Sequence, residues 1–170
     1  LNPAMHREEA LIVYGHALAQ LNRFPEAEKE FTSVIETSAA DAQVSDALYE
    51  RALVLAAQQK FEQALSDLTA CHQRNPNGHH AAQALLQQGL LFARVGRYDE
   101  SVRAFDRLIR EYTYSSLADS ARVRVLPTLS ESGAPQDAVN RSGRYLDVIE
   151  RNPFLGDDLE QEYLYAHAVA

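Results

Sequence analysis

The chain repeats itself every 37 residues, and this constant period limits the possible fold more than any other feature of the sequence. An aromatic residue or a proline recurs at that step, as Phe24, Phe61, Tyr98 and Pro135. Three residues later a small side chain keeps the same interval, as Ala27, Ala64, Ser101 and Ala138. Self-similarity at a period of roughly 20 to 50 residues is typical of solenoids and other repeat arrays. The sequence therefore predicts a series of similar supersecondary units.

Each period contains two stretches whose apolar residues have helical spacing. In the first stretch Leu11, Gly15 and Leu18 fall on one face, and in the second Ala27 and Phe31 do the same. The first stretch also carries a small residue at a fixed position, Gly15, Ala52 or Gly89, where two helices of a pair can approach closely. These patterns predict an all-α fold made of antiparallel helix pairs.

The arrangement resembles the tetratricopeptide repeat, in which Leu and then Gly or Ala precede an Ala and a large apolar residue. The first repeat matches that pattern at Leu11, Gly15, Leu18, Ala27 and Phe31. The chain departs from it by having no Trp, a 37-residue period and a fourth repeat with Arg122 and Leu126 at the Leu and Gly positions. The longer period is similar to variant repeats of bacterial envelope proteins of the BamD and YbgF type. The resemblance implies a right-handed α-solenoid, a superhelix of about four and a half repeats.

We expect a single array with repeats at 8–44, 45–81, 82–118 and 119–155, followed by a partial repeat at 156–170. Asn-Pro at the start and an uncovered last helix pattern favour an internal fragment of a longer solenoid. Pro127 falls inside the first helix of the fourth repeat. We expect it to kink or stop that helix, as a local irregularity or as a bend that creates a partner site.

Composition excludes several classes of function. A net charge of −8 argues against nucleic acid as a partner, and no apolar stretch is long enough to insert into a membrane. The sequence has none of the nucleotide-binding, zinc-protease or C-x-x-C motifs, so we predict no enzymatic activity, no catalytic residue, no cofactor and no metal. The adjacent His79 and His80 would diverge on a helix or be solvated in a turn, and Cys71 occupies a buried apolar position.

Arginines are concentrated between residues 94 and 124. Acid and base spacing predicts that most of them form a solvated helix face, with pairs Asp99–Arg103, Asp106–Arg110 and Arg107–Glu111. A site for an acidic peptide is the alternative. The compartment is unknown, and the envelope-type resemblance favours the periplasm or cell envelope over the cytoplasm.

In the tetratricopeptide family the first helices line an inner groove, and the resemblance implies which residues of this chain face a partner. The function that follows is a scaffold that binds a protein or peptide segment in this groove, within a bacterial envelope assembly. The alternatives are a structural module that forms homo-oligomers through exposed end helices, or a regulatory region of a larger protein. The implied groove residues are Ile12, His16, Tyr49, Leu53, Leu86, Leu90 and Arg94.

Overall fold

A computed structural model describes residues 3–151, and over this part of the chain the backbone forms eight α-helices and no strand. The helices are α1 (Pro3–Gln20), α2 (Phe24–Thr37), α3 (Asp41–Ala57), α4 (Phe61–Arg74), α5 (Ala81–Arg94), α6 (Tyr98–Glu111), α7 (Ser116–Glu131) and α8 (Pro135–Arg151). They form four successive pairs, so the predicted all-α fold of helix pairs is confirmed. The predicted partial repeat at 156–170 lies outside the described residues, and the repeat boundaries stay a prediction.

The chain divides into two compact units, Leu1–Ala84 and Leu85–Ala170, with the division inside α5. In the first unit each helix from α1 to α4 packs on the next, and α1 also contacts α3. In the second unit α6 packs on α7 and α7 packs on α8. Consecutive packing with a contact between alternate helices is what a stack of helix pairs requires.

The turns inside the four pairs share one backbone geometry at the 37-residue interval. A residue with positive φ ends the first helix in each case: Asn22, Gln59, Gly96 and Gly133. The next residue donates its N–H to a carbonyl five positions back, and these bonds from Arg23, Lys60, Arg97 and Ala134 measure 2.8–2.9 Å. This is the Schellman arrangement, which satisfies carbonyls left over at the end of a helix. The repeat is therefore encoded in the turn backbone as well as in side chains.

The first and third pairs are held together by a glycine packed against a buried phenylalanine. A Cβ added at Gly15 would lie 2.7 Å from Phe31 Cε1, and one added at Gly89 would lie 2.4 Å from Phe105 Cε1. At the equivalent positions the second pair has Ala52 and Leu68, both buried. A larger residue on the first helix is thus matched by a smaller one on the second, as close packing demands.

The fourth pair reverses this relation between large and small residues. Leu126 on α7 and Ser142 on α8 occupy the same two positions, and each is 1% exposed. The fourth repeat, which departs from the family pattern in sequence, is therefore a helix pair that has its larger side chain on the first helix instead of the second. α7 also runs through Pro127 to Glu131, so the early stop predicted as one of two effects of this proline was wrong, and the alternative, a kink, stays a prediction.

A partly buried ion pair ties three helices of the first unit together. Arg51 on α3 donates from Nε and Nη2 to the two carboxylate oxygens of Asp67 on α4, at 2.7 and 2.8 Å. Its Nη1 also donates to Thr32 Oγ1 on α2 at 2.9 Å. Planar bidentate geometry of this kind is the strong form of an ion pair, and it fixes how these helices meet.

Candidate functional site

The predicted groove residues of the first unit lie on α1 and α3, the two first helices that contact each other. Ile12 and Leu53 are half-buried, and Ile12 packs against the core around Phe31. His16 is exposed and pairs through Nδ1 with Glu50 Oε2 at 3.2 Å. Gln20 Nε2 lies 2.9 Å from His16 Nε2. With Nδ1 donating to Glu50, Nε2 can accept from Gln20, so His16 bridges α1 and α3.

Tyr49 is only 9% exposed, and its ring stacks on His80. The two ring centroids are 4.2 Å apart with an interplanar angle of 12°. Burial raises the pKa of the Tyr49 hydroxyl. A residue this covered presents little surface to a partner, so Tyr49 acts first as part of a local aromatic cluster.

The same cluster brings His79, His80 and Asp46 together. Asp46 Oδ1 lies 3.5 Å from His79 Nε2 and 3.9 Å from His80 Nε2. The two imidazole centroids are 4.0 Å apart. Both histidines lie in the turn before α5, and the His79 side chain is 68% exposed, as predicted for a solvated turn residue. The predicted divergence of the two rings was wrong, and so was the solvation of His80, whose side chain is 18% exposed.

Burial dominates the electrostatics of this cluster. It lowers the pKa of the His80 imidazole to about 4, with a smaller contribution from the neighbouring His79. It also raises the pKa of Asp46, an effect that His79 opposes and Glu50 reinforces. Each shift favours the neutral form of the group, as expected where water is partly excluded. At neutral pH, His80 therefore carries no proton on one ring nitrogen.

The second unit contains an open, largely apolar pocket of about 300 Å³ that includes one predicted groove residue, Leu90. α5 contributes Leu90 and Ala93, and α7 contributes Pro127 among others. The remaining lining comes from α6 and from the polar side of α7, as Tyr98, Phe105, Arg124, Thr128 and Glu131. The other two groove residues of this unit, Leu86 and Arg94, do not line it; Leu86 is half-buried and Arg94 is exposed.

The 37-residue period explains why Pro127 lies in this pocket. Pro127 follows Leu90 by one period, and Glu131 follows Arg94 by one period. Extending the groove register into the fourth repeat would have located both residues from sequence. Tyr98 and Phe105 could not be found in this way, because they belong to the second helix of the third pair.

Proline also changes the backbone beside the pocket. Pro127 has no N–H, so it cannot donate to the carbonyl of Val123 one turn earlier. Thr128 Oγ1 donates instead to the neighbouring carbonyl of Arg124 at 2.9 Å. The pocket wall is therefore a helix segment with a weakened hydrogen-bond ladder.

The arginine pairs differ in part from the predicted set. Arg107 pairs with Glu111 at 2.8 Å, as predicted. Asp106 instead receives Arg141 of α8 at 2.5 Å, so the predicted pair with Arg110 was wrong. Arg103 approaches Glu100 at 3.9 Å rather than Asp99.

Cys71 is fully buried, as predicted, and burial raises the pKa of its thiol. Among residues 3–151, no helix is both long and apolar enough to cross a membrane.

Solved structures with the same fold are tetratricopeptide-repeat proteins. The MamA protein aligns with a TM-score of 0.71 at 15% identity, over 87% of this chain and 76% of that chain. TPR-like repeats from Podosopora anserina, described as a kinesin light chain, align with a TM-score of 0.73 at 11% identity, over 96% of this chain and 86% of that chain. A tetratricopeptide repeat protein from Parabacteroides merdae aligns with a TM-score of 0.70 at 18% identity, over 95% of this chain and 58% of that chain. At these identities the likeness shows the fold alone.

The amino-acid sequence also matches two family models. A tetratricopeptide-repeat model matches residues 83–113. A search of curated proteins finds no match. The model described as "T7SS, ESX-1 secretion system protein EccA1, N-terminal domain" matches residues 3–91, which is 89 of the 170 residues. The resemblance to BamD-type and YbgF-type proteins stays a prediction. Because the match covers more than half of the chain, this protein belongs to the family of the EccA1 N-terminal domain, and it is built from tetratricopeptide repeats.

Proposed function

We propose that this chain binds a segment of a partner protein of a type VII secretion system along its first helices. In this proposal the pocket beside Pro127 holds an apolar side chain of that segment. Tetratricopeptide scaffolds generally mediate protein–protein interaction and are generally non-enzymatic. The description of the family names a secretion system protein, and it supports the choice of partner class.

The single observation that carries the proposal is the pocket between Leu90 and Pro127. Its volume of about 300 Å³ is at the small end of the range for ligand sites, so it suits one side chain rather than a whole cofactor. Its lining is mostly apolar, while Arg124 and Glu131 supply one charge of each sign. An apolar anchor flanked by polar residues is the composition expected of an interface hot spot.

The remaining groove residues have different parts in this proposal. His16 and Arg94 are exposed, and each would select polar groups of a segment bound to its own unit. Ile12, Leu53 and Leu86 are half-buried and would add apolar contact. Tyr49 is a poor probe of partner binding, because Glu in its place would also disrupt its stack on His80.

The test uses peptides tiled across proteins of the secretion system, with binding measured by fluorescence polarisation. We expect Leu90→Glu to weaken a bound peptide at least ~30-fold, since hot-spot losses are about 2 kcal/mol or more. Val139→Glu is the matched control, because Val139 is an exposed apolar residue of α8 outside the pocket. Circular dichroism checks that both variants stay helical. Equal affinity of the wild type and Leu90→Glu would overturn the proposal.

A second candidate is a regulatory region of a larger protein. The family description names an N-terminal domain, which favours this candidate over a free-standing scaffold. The two candidates are compatible, since a regulatory region can act by binding a segment of its own protein. The self-association alternative predicts a mass that falls on dilution in light scattering, and a monomer at every concentration would exclude it.

A further inference from the structure

The side chains of Asp46, His79 and His80 are spaced as ligands of a metal ion. One ligand atom from each residue can be chosen so that all three lie within 4.8 Å of one another. Two ligand atoms about 2.1 Å from a tetrahedral ion stand roughly 3.4 Å apart, by the bond lengths usual for zinc. The Asp46 Oδ1 to His79 Nε2 distance of 3.5 Å is already close to this value. The 3.9 Å distance from Asp46 Oδ1 to His80 Nε2 is about 0.5 Å longer than this value.

The local fold holds these side chains in place without a metal. Asp46 lies on α3, and Tyr49 one turn later stacks on His80 and fixes the plane of its ring. The turn that carries the histidines is tight at Gly78, whose N–H donates to Asn75 O at 2.9 Å. A Cβ at Gly78 would lie 2.5 Å from Asn75 Nδ2, so a larger residue at this position would require the Asn75 side chain to move. Such preorganisation lowers the cost of assembling a ligand set.

The charges around the cluster suit a cation. Asp46 is partly buried, with 25% of its side chain exposed. Glu50 stands one turn further along α3, and its carboxylate contacts His16. A divalent ion at Asp46 would offset both carboxylates. His79 is 68% exposed, which leaves the cluster open to entry of an ion from solvent.

We propose that Asp46, His79 and His80 form a binding site for a divalent transition-metal ion of the Zn²⁺ class. Two imidazole nitrogens and one carboxylate oxygen are ligands that borderline ions of this class prefer. Three protein ligands leave the fourth position of a tetrahedral ion for water or for a side chain of another molecule. The ion would join α3 to the turn before α5 within the first unit. This proposal is independent of the pocket in the second unit.

Isothermal titration with Zn²⁺ of tag-free protein, freed of metal by chelator and dialysis, tests the site. We expect one saturable site, with affinity reduced at least ~10-fold in both Asp46→Asn and His79→Ala, because each loses one of three ligands. Asp41→Asn is the matched control: the same chemical change on the same helix, at an exposed aspartate outside the cluster. It should bind like the wild type.

Two further readouts separate metal binding from a structural role of these residues. Co²⁺ should give visible d–d absorption in the wild type and in Asp41→Asn, and Zn²⁺ should raise the melting temperature of the same two proteins only. Circular dichroism without metal checks that all variants fold. The proposal is overturned if the wild type shows no saturable site below millimolar Zn²⁺, or if either ligand variant keeps the affinity of the wild type.

Discussion

Gly89 offers the sharpest test of the packing that defines the helix pairs. An alanine Cβ at this position would lie 2.4, 2.6 and 2.7 Å from three ring carbons of Phe105. Phe105 is 1% exposed, so a shift of its ring to relieve the contact would disturb a side chain that is packed in the core. Overpacking a core costs about 1 to 3 kcal/mol, and the better helix propensity of alanine returns roughly 1 kcal/mol. These values leave a net cost of about 0 to 2 kcal/mol, and because the shortest contact is only 2.4 Å, we expect Gly89→Ala to fall in the upper half of this range, at about 1 to 2 kcal/mol.

The chain supplies both a control and a rescue for this variant. Gly143 lies in α8, and a Cβ added there would have nothing within 4 Å, so Gly143→Ala should stabilise by about 1 kcal/mol through propensity alone. The second pair carries Ala52 and Leu68 at the positions of Gly89 and Phe105. Adding Phe105→Leu to Gly89→Ala reproduces that combination and should recover about 1 to 2 kcal/mol as a coupling energy.

Urea denaturation followed by circular dichroism gives the stability of the wild type and of four variants: Gly89→Ala, Gly143→Ala, Phe105→Leu and the double variant. Equal slopes of the transitions would allow the free energies to be compared directly. The close contact with Phe105 is refuted as a determinant of stability if Gly89→Ala is as stable as the wild type or more stable. It is also refuted if the two substitutions at positions 89 and 105 are additive.

Three further predictions concern the turns, the ion pair of Arg51 and Asp67, and the titration of one histidine. Gln59→Gly should raise the free energy of unfolding by about 0.5 to 1 kcal/mol by relieving the positive φ of Gln59, while Gly96→Ala should lower it; urea midpoints measure both. Arg51→Met leaves the Asp67 carboxylate buried without its partner and should cost about 3 kcal/mol in the same assay. Because the pKa of His80 is lowered to about 4, its contribution to the free energy of unfolding is complete above pH 6.5 and is lost as the pH falls towards 4, by at most about 3 kcal/mol. Proton NMR titration in the presence of a chelator should find this low pKa, and His80→Gln should remove the fall in stability between pH 6.5 and 4.

The period and its small residues were sufficient to predict the fold of helix pairs, because both arise from local packing that repeats at 37 residues. Gly15 and Gly89 were expected to allow close approach, and the structure shows the phenylalanine ring that each one meets. The fourth pair could not be interpreted in the same way. Exchange of the large and small positions between Leu126 and Ser142 preserves the packed volume while it breaks the residue pattern.

The site was less accessible to sequence reasoning, because it depends on contacts between residues far apart in the chain. Asp46 precedes His79 by 33 residues, and no helical or strand spacing links them. The stack of His80 on Tyr49 likewise follows from how the turn after Asn75 is placed, which periodicity does not specify. Burial of Arg141 against Asp106 displaced a pair that local spacing predicted, since tertiary contacts compete with neighbours on the same helix.

Site-specific photo-crosslinking in the native host tests most directly whether the pocket beside Pro127 receives a partner protein. A photoreactive residue is placed at Glu131, an exposed residue that lines the pocket, or at the control position Val139 on α8. We expect position 131 to crosslink to one defined segment of a secretion-system protein, and Leu90→Glu to abolish this product. The same products from positions 131 and 139, or a product at 131 that survives Leu90→Glu, would contradict the proposed binding mode.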